Sequence, residues 1–263
     1  MYSLLRNYVL PPLIKTGAIV PVHPARAGVN HLLKFHDLDY LKVLRHGPPS
    51  LTLDGTPVTA DRKNEILESF NLVDDCAVPS TEEGRFDLWN YVTAVAGASL
   101  HAASLLQNHS PPSSLPSDPP PKTVAINWGG GRHHAHRSAA GGFCYLNDTV
   151  LALQHMRRKF GKVLYLDVDI HHADGVEEAF RNTRQVVTVS FHKHGPGFFP
   201  GTGGGEECHG PRGEGGEFHT VNFVMPDGVT DGDFVPFYEV RVSGCITVPS
   251  PSRSSLPKPP PSH

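Results

Sequence analysis

The sequence predicts an α/β fold, an open parallel sheet flanked by helices, on three observations. Apolar residues recur at helical spacing in two stretches, three short runs rich in Val and Ile have the length of buried strands, and the two kinds of segment alternate. The first helical stretch, Phe86 to Gln107, carries Trp89, Val92, Val95, Leu100 and Leu105 on one face. The second carries Leu146, Val150, Leu153 and Met156. The short runs are Thr123 to Trp128, Lys162 to Val168 and Val186 to Phe191, each read as a strand. In open α/β sheets ligands sit beyond the carboxyl ends of the strands, so polar clusters there carry the most weight.

Composition bounds the function before any motif does. The 263 residues are 38% hydrophobic, enough for one large domain. The 23 Lys and Arg against 26 Asp and Glu leave a net charge of −3, which provides no basic field for direct nucleic-acid binding. No apolar run approaches the ~20 residues of a membrane helix, and Met1 to Pro12 lacks the pattern of a signal peptide. Cys76, Cys144, Cys208 and Cys245 show no CxxC spacing, so a reducing intracellular setting is expected. Ser110 to Pro121 and Pro249 to His263 each hold six prolines. Segments of this composition cannot bury enough apolar surface to offset ordering entropy; the first reads as a surface loop and the second as a disordered tail.

Two polar clusters leave predicted strand ends. Gly129-Gly130-Gly131-Arg132-His133-His134-Ala135-His136 follows the first; its glycines permit a tight backbone that brings both imidazoles to a pocket floor. Taken alone, the pair reads first as an exposed histidine-rich loop, and it is the second cluster that turns the reading. The second cluster, Tyr165 to Asp174, places Asp167, Asp169 and His171 on one face if extended geometry persists through His171. A carboxylate and an imidazole on one face are first ligands for a divalent metal such as zinc, and the other aspartates remain to orient imidazoles. The competing reading is a set of capping aspartates, but an unpaired carboxylate among apolar neighbours at Asp167 would be costly.

Read in order, NWGGGRHHA, GGFCYLND, LDVDIHHADGVEEAF and HGPGFFPGTG resemble the zinc-dependent histone deacetylases, closest to the class I type with its arginase/deacetylase-like fold. The clear match runs from about Thr123 to Gly203. Weaker similarity includes Phe35-His36 with Tyr40-Leu41, and Asp75-Cys76 with the following helix. The resemblance implies that Asp169 and His171 are two of three zinc ligands, and that His133 and His134 are general base and general acid. It makes Asp167 and Asp174 the carboxylates that orient those histidines. Gly142, Phe143 and Phe199 then wall a channel for an acetyl-lysine side chain, and Asp75 is a rim carboxylate gripping substrate backbone. Ser190 and Phe191, with Asp167, Asp169 and His171, correspond to a structural potassium site. Acetylated histone tails or other acetyl-lysine proteins are the implied substrates, corepressor subunits the implied partners, and the nucleus, with the cytoplasm second, the implied compartment.

The chemistry agrees with the residue types. An amide is a poor electrophile, and its hydrolysis needs a Lewis acid and a proton donor for the departing amine. Two phenylalanines accept the apolar stem of lysine, although ordinary core packing explains such residues as well. Cys144 is read as a packed residue rather than a nucleophile.

The resemblance also implies a third zinc-binding aspartate and an oxyanion-stabilising tyrosine downstream of His263, and a strand ahead of the helix-like Tyr2 to Leu10. The chain is therefore expected to be a catalytic domain shortened at both ends, residues 1–240, followed by a divergent tail, 241–263, without helical or strand period. Asp231 or Tyr238 as substitutes have no support in spacing. Two ligands hold zinc more weakly than three, and loss of an oxyanion donor costs about 10²–10³ in rate. Three functions follow: lysine deacetylase, a catalytically incomplete relative acting through partners, and an amidohydrolase of small acetylated amines.

Overall fold

The structure is a computed structural model that describes residues 7, 9–108, 123–204 and 219–247. In chain order its elements are helices α1 (Leu10–Lys15), α2 (Val29–Leu32), α3 (Leu38–His46), α4 (Ala60–Ser69) and α5 (Glu82–Asn108). Helix α6 (Asp148–Met156), strand β1 (Val163–Asp167), helix α7 (Asp174–Phe180), strands β2 (Val186–Lys193) and β3 (Thr220–Met225) and helix α8 (Asp231–Thr247) follow. Two compact units result, Met1–Val224 and Met225–His263.

Helix α5 forms because its 27 residues are free of proline and open on Glu82 and Glu83, whose charges suit the positive end of the helix dipole. It buries Trp89, Val92, Val95, Ala96 and Leu100, and α3 and α6 pack against it. Helix α6 starts where the Asn147 side chain accepts the Val150 N–H at 2.9 Å. The core joins these helices to the sheet through Leu32, Tyr40, Leu44, Leu146, Val150 and Val186.

The sheet has the order β1-β2-β3. Strands β1 and β2 are parallel, in register from Val163 opposite Val186 to Asp167 opposite Ser190. That register sets the two carboxyl ends side by side, and α7 packs on β2. Both strands fall where the sequence places them.

Three expectations need correction. Thr123 to Trp128 is not a strand: among the described residues no ladder pairs with it, and Val124, Ile126 and Trp128 are exposed. A β-rich composition becomes a strand only where a neighbour takes its backbone groups. Its Asn127 turns instead to α5, donating to the Val95 carbonyl at 3.1 Å and to Ser99 Oγ at 2.8 Å. Strand β3 was not anticipated, because Asn222 interrupts its apolar pattern; that side chain is buried and donates to Glu177 at 2.8 Å. The boundary at residue 240 does not end an element either, since α8 runs to Thr247; once nucleated, a helix extends at little cost per residue. The proline-rich stretches 110–121 and 249–263 lie outside the described residues. Among the described residues no helix is long and apolar enough to cross a membrane.

One close approach is testable. A Cβ at Gly97 on α5 would lie 2.1 Å from the Ala25 carbonyl oxygen and 2.7 Å from the Ala27 nitrogen. The Ala27 N–H itself donates to Thr93 O at 2.9 Å. Gly97→Ala gains about 1 kcal/mol in helix propensity, but pushing that backbone away costs about 1–3 kcal/mol or more. A net loss of stability is expected in urea unfolding followed by tryptophan fluorescence. A stabilised variant would show that the 25–27 segment is not held against α5.

Candidate active site

The site gathers at the carboxyl ends of β1 and β2 from three loops: the glycine-rich turn before His133, the β1–α7 connection, and the segment after β2. Both histidines of the pair are buried, 6% exposed for His133 and 4% for His134, with ring centroids 4.0 Å apart. Each is tied by Nδ1. His133 Nδ1–H donates to Asp167 Oδ2 at 2.6 Å, and His134 Nδ1–H donates to Asp174 Oδ1 at 2.7 Å. The Nε2 atoms are therefore the ones left for chemistry.

Electrostatics follow from these couples. Burial pulls the His133 imidazole down, but the Asp167 hydrogen bond and the charges of Asp167, Asp169 and Asp174 outweigh it, and the net shift is upward. Burial raises the Asp167 carboxyl, and hydrogen bonds from His133, Tyr165 and the Asp169 N–H reverse that to a net lowering. Asp174 is likewise raised by burial and then held well below the usual carboxylate range by the His134 hydrogen bond and the nearby His136 ring.

The β1–α7 connection leaves extended geometry after Asp167, contrary to the continuous strand on which the sequence argument depended. The same residues converge by turns instead. Asp167 Oδ1 accepts the Asp169 N–H, and Asp169 Oδ1 accepts the His171 N–H, each at 2.8 Å. His171 Nδ1 then faces Asp169 Oδ1 at 2.9 Å, and His133 Nε2 lies 4.0 Å from that oxygen. Asp169 and His171 are 49% and 37% exposed, open to solvent and to a ligand. Among the described residues no three His, Cys, Asp or Glu side chains form a metal-holding group. The pair has the oxygen and nitrogen donors zinc takes, and so fits two of the three protein ligands of a catalytic site.

The predicted channel residues separate. Phe199 packs edge-on to His134 at 4.8 Å and reaches His171 at 5.9 Å. Gly142 sits between: its φ is +49°, and a Cβ there would lie 2.6 Å from His134 Cδ2 and 2.9 Å from Phe199 Cε1. Phe143, also at positive φ, is 70% exposed. Asp75 is exposed on a 3-10 turn, Asp74–Cys76, where its charge faces Cys76 and Tyr145. Ser190 is buried with its hydroxyl hydrogen-bonded to His192 Nδ1 at 2.9 Å, and Phe191 stacks on Phe223. Cys144 is buried, its thiol pushed up to about 11 chiefly by burial, which suits a packed residue.

Several residues that hold this geometry escaped the sequence argument. Asp148 is buried and accepts the Gly131 N–H at 3.1 Å, the Arg132 N–H at 2.8 Å and the Ser99 hydroxyl. Asn147 donates to the carbonyls of His133 at 3.3 Å and Ala135 at 2.8 Å, bracketing the histidine pair. Behind it, His36 Nε2 accepts the Asn147 N–H at 3.0 Å while His36 Nδ1–H donates to Arg137 O at 3.2 Å. An Asn-Asp pair opening an apolar-periodic run is a helix-cap signal, and it was the available clue. Phe198 stacks on His171 at 5.3 Å. His172, next to His171, points inward, donating from Nε2 to Glu177 and sharing a hydrogen bond with Thr202, each at 2.8 Å.

An open sheet carrying two histidine–aspartate couples and an Asp–His pair at its carboxyl end defines an arginase/deacetylase-like α/β protein. Residues 1–252 match the histone deacetylase domain, and the chain belongs to the histone deacetylase family. Histone deacetylase 2 of Oryza sativa subsp. japonica is 38% identical over 243 residues, 92% of this chain and 41% of that protein. Histone deacetylase 1 of Homo sapiens is 34% identical over 252 residues, 95% of this chain and 45% of its own length. Histone deacetylase 6 of Arabidopsis thaliana is 37% identical over 250 residues, 95% and 46% respectively. The chain thus spans less than half the length of these relatives.

The anchoring of the pair has a pH signature. Burial pushes His36 down to about 4 from 6.5, against hydrogen bonds that raise it, and His192 falls to about 4 chiefly through burial. Both folded values lie below the unfolded one, so between these limits the unfolded chain binds protons that the folded chain refuses. Stability present above pH 6.5 is lost as pH falls through about 4, by about 3 kcal/mol for His36. The urea midpoint is expected to drop steadily over that window, and His36→Gln to start lower and slope less. A midpoint flat from pH 7 to pH 4 would contradict the neutral, buried assignment.

Proposed function

We propose that this chain carries the hydrolytic site of a lysine deacetylase, acting on acetylated histone tails or other acetyl-lysine proteins. The observation that carries the reading is the pair of buried imidazoles, each tied through Nδ1 to its own carboxylate, beside the part-exposed Asp169 and His171. Asp169 and His171 would hold zinc, which when bound supplies a Lewis acid for the amide carbonyl and lowers the pKa of water. His133, whose basicity the Asp167 couple raises, takes the proton from the attacking water. His134 delivers one to the departing amine.

Phe199 and Gly142 form the wall beside His134 that receives the apolar lysine stem, with Phe143 and Asp75 at the outer rim. For potassium, Asp167, Asp169, His171, Ser190 and Phe191 cluster at the paired strand ends. Their backbone carbonyls and the side-chain oxygens of Asp167 and Ser190 are the hard donors that potassium would take there. A nuclear setting, with a cytoplasmic one second, and corepressor subunits as partners belong to the same reading.

One observation favours a second reading: two metal donors rather than three converge among the described residues. A deacetylase-like protein with an incomplete site would act through partner binding.

Zinc per chain, measured by elemental mass spectrometry after exhaustive dialysis, separates the two. Near one zinc is expected on the first reading and near none on the second. Asp169→Asn and His171→Ala should each lose the metal. His134→Ala should retain it while deacetylation of an acetyl-lysine peptide falls by about 10²–10⁴. Full zinc retention in both ligand variants would reject the ligand assignment.

A further inference from the structure

His136 stands two residues beyond the histidine pair and meets the same carboxylate as His134. Asp174 Oδ1 takes the His134 Nδ1–H at 2.7 Å, and Asp174 Oδ2 faces His136 Nε2 at 3.6 Å. The other nitrogen, His136 Nδ1, bonds to the Glu178 carboxylate. Asp174 and Glu178 are four residues apart on α7, hence on one face, and the imidazole fits between their carboxylates. The backbone holds it there through the His136 N–H to Ala139 O bond at 2.9 Å. Side-chain exposure rises along the line, from 5% at His134 and 14% at Asp174 to 32% at His136 and 57% at Glu178.

We propose that His136 is a positioning residue that shares Asp174 with His134, dividing one carboxylate between the buried imidazole and a surface imidazolium. The inference rests on the reading of His134 as the amine's proton donor and adds what sets that donor's environment. Asp174 Oδ1 accepts both the His134 Nδ1–H and, at 2.9 Å, the Gly175 N–H, and Oδ2 turns to the His136 ring, so the charge on that ring biases the carboxylate that orients His134. A carboxylate drawn toward an imidazolium is also a weaker acceptor for a neighbouring ring N–H.

The nearby Asp174 carboxylate pushes His136 up to about 9, burial opposes, and Glu178 adds to the rise, so it carries a charge at neutral pH. The charged and titratable groups around it are Asp174 and Glu178 on α7 and His134 across Asp174; the neighbouring Arg137 turns away to Asp37 at 3.2 Å.

The test is imidazole ¹H–¹⁵N correlation spectra of the full chain from pH 6 to pH 10, for the wild type, His136→Leu and Glu178→Gln. In the wild type, a step at about pH 9 in the His136 signals is expected to appear also in the His134 Nδ1–H resonance. His136→Leu should abolish that step and move the His134 resonance downfield at pH 7. Glu178→Gln should keep the step and shift it to lower pH. A His134 resonance without a step in the wild type, or unchanged in a folded His136→Leu, overturns the proposal. If His136→Leu does not fold, the wild type and Glu178→Gln still decide. A parallel deacetylation assay keeps the two readings apart. Coupled spectra without turnover sink the deacetylase reading alone, whereas turnover without coupling sinks the role of His136 alone.

Discussion

A hydrogen bond at one nitrogen of an imidazole fixes which tautomer it adopts and where its other nitrogen points, and in this protein two adjacent residues meet that condition within a single buried turn. Side chains that follow each other in a chain ordinarily point apart, yet His133 and His134 lie with ring centroids 4.0 Å apart. Holding them so requires two carboxylates from different places, Asp167 at the end of β1 and Asp174 at the start of α7. Each buried carboxylate in turn needs enough donors to remain ionised. Asp167 finds them in His133, Tyr165 and the Asp169 N–H, and Asp174 in His134 and His136.

The turn itself is gripped through its backbone. Asp148 takes two amide N–H groups ahead of the pair, and Asn147 takes the carbonyls of His133 and Ala135. Both grips belong to the start of α6, whose packing on α5 is part of the main core. His36, more than a hundred residues away in the sequence, fixes Asn147 from behind. Stability and site geometry are therefore the same problem here: the helices that bury Val150 and Leu151 also set where two imidazoles stand.

On the other side of the site the arrangement is looser. Asp169 and His171 are held by two successive side-chain-to-backbone turns rather than by a sheet ladder, and both are part-exposed. His172 faces the interior and couples the β1–α7 connection to Thr202 in the segment that carries Phe199. Two tightly tied histidine–aspartate couples thus stand beside a more open oxygen and nitrogen donor pair.

Much of this was legible in the sequence. Apolar periodicity located α5, α6, β1 and β2, and four motifs in order named the histidines and aspartates that the fold brings together with Phe199, while Phe143 stands apart. Thr123 to Trp128 misled because composition reports only a tendency to be a strand, whereas a strand exists through its neighbour. Asp167, Asp169 and His171 were grouped by strand alternation, yet the chain turns after Asp167 and groups them by hydrogen bonds instead. His36 and Ser99 carried no signal of their role, and the cap signal of Asn147-Asp148 did not say what they hold, since the partners at the site lie between twelve and more than a hundred residues away in the chain. The sequence by itself determined which chemical groups are available and on which segments they ride, because periodicity and motif spacing are local. Only the tertiary structure decided which nitrogen of each imidazole is tied, which carboxylate serves which histidine, and that Asp174 serves two, because those are contacts between segments the chain keeps apart.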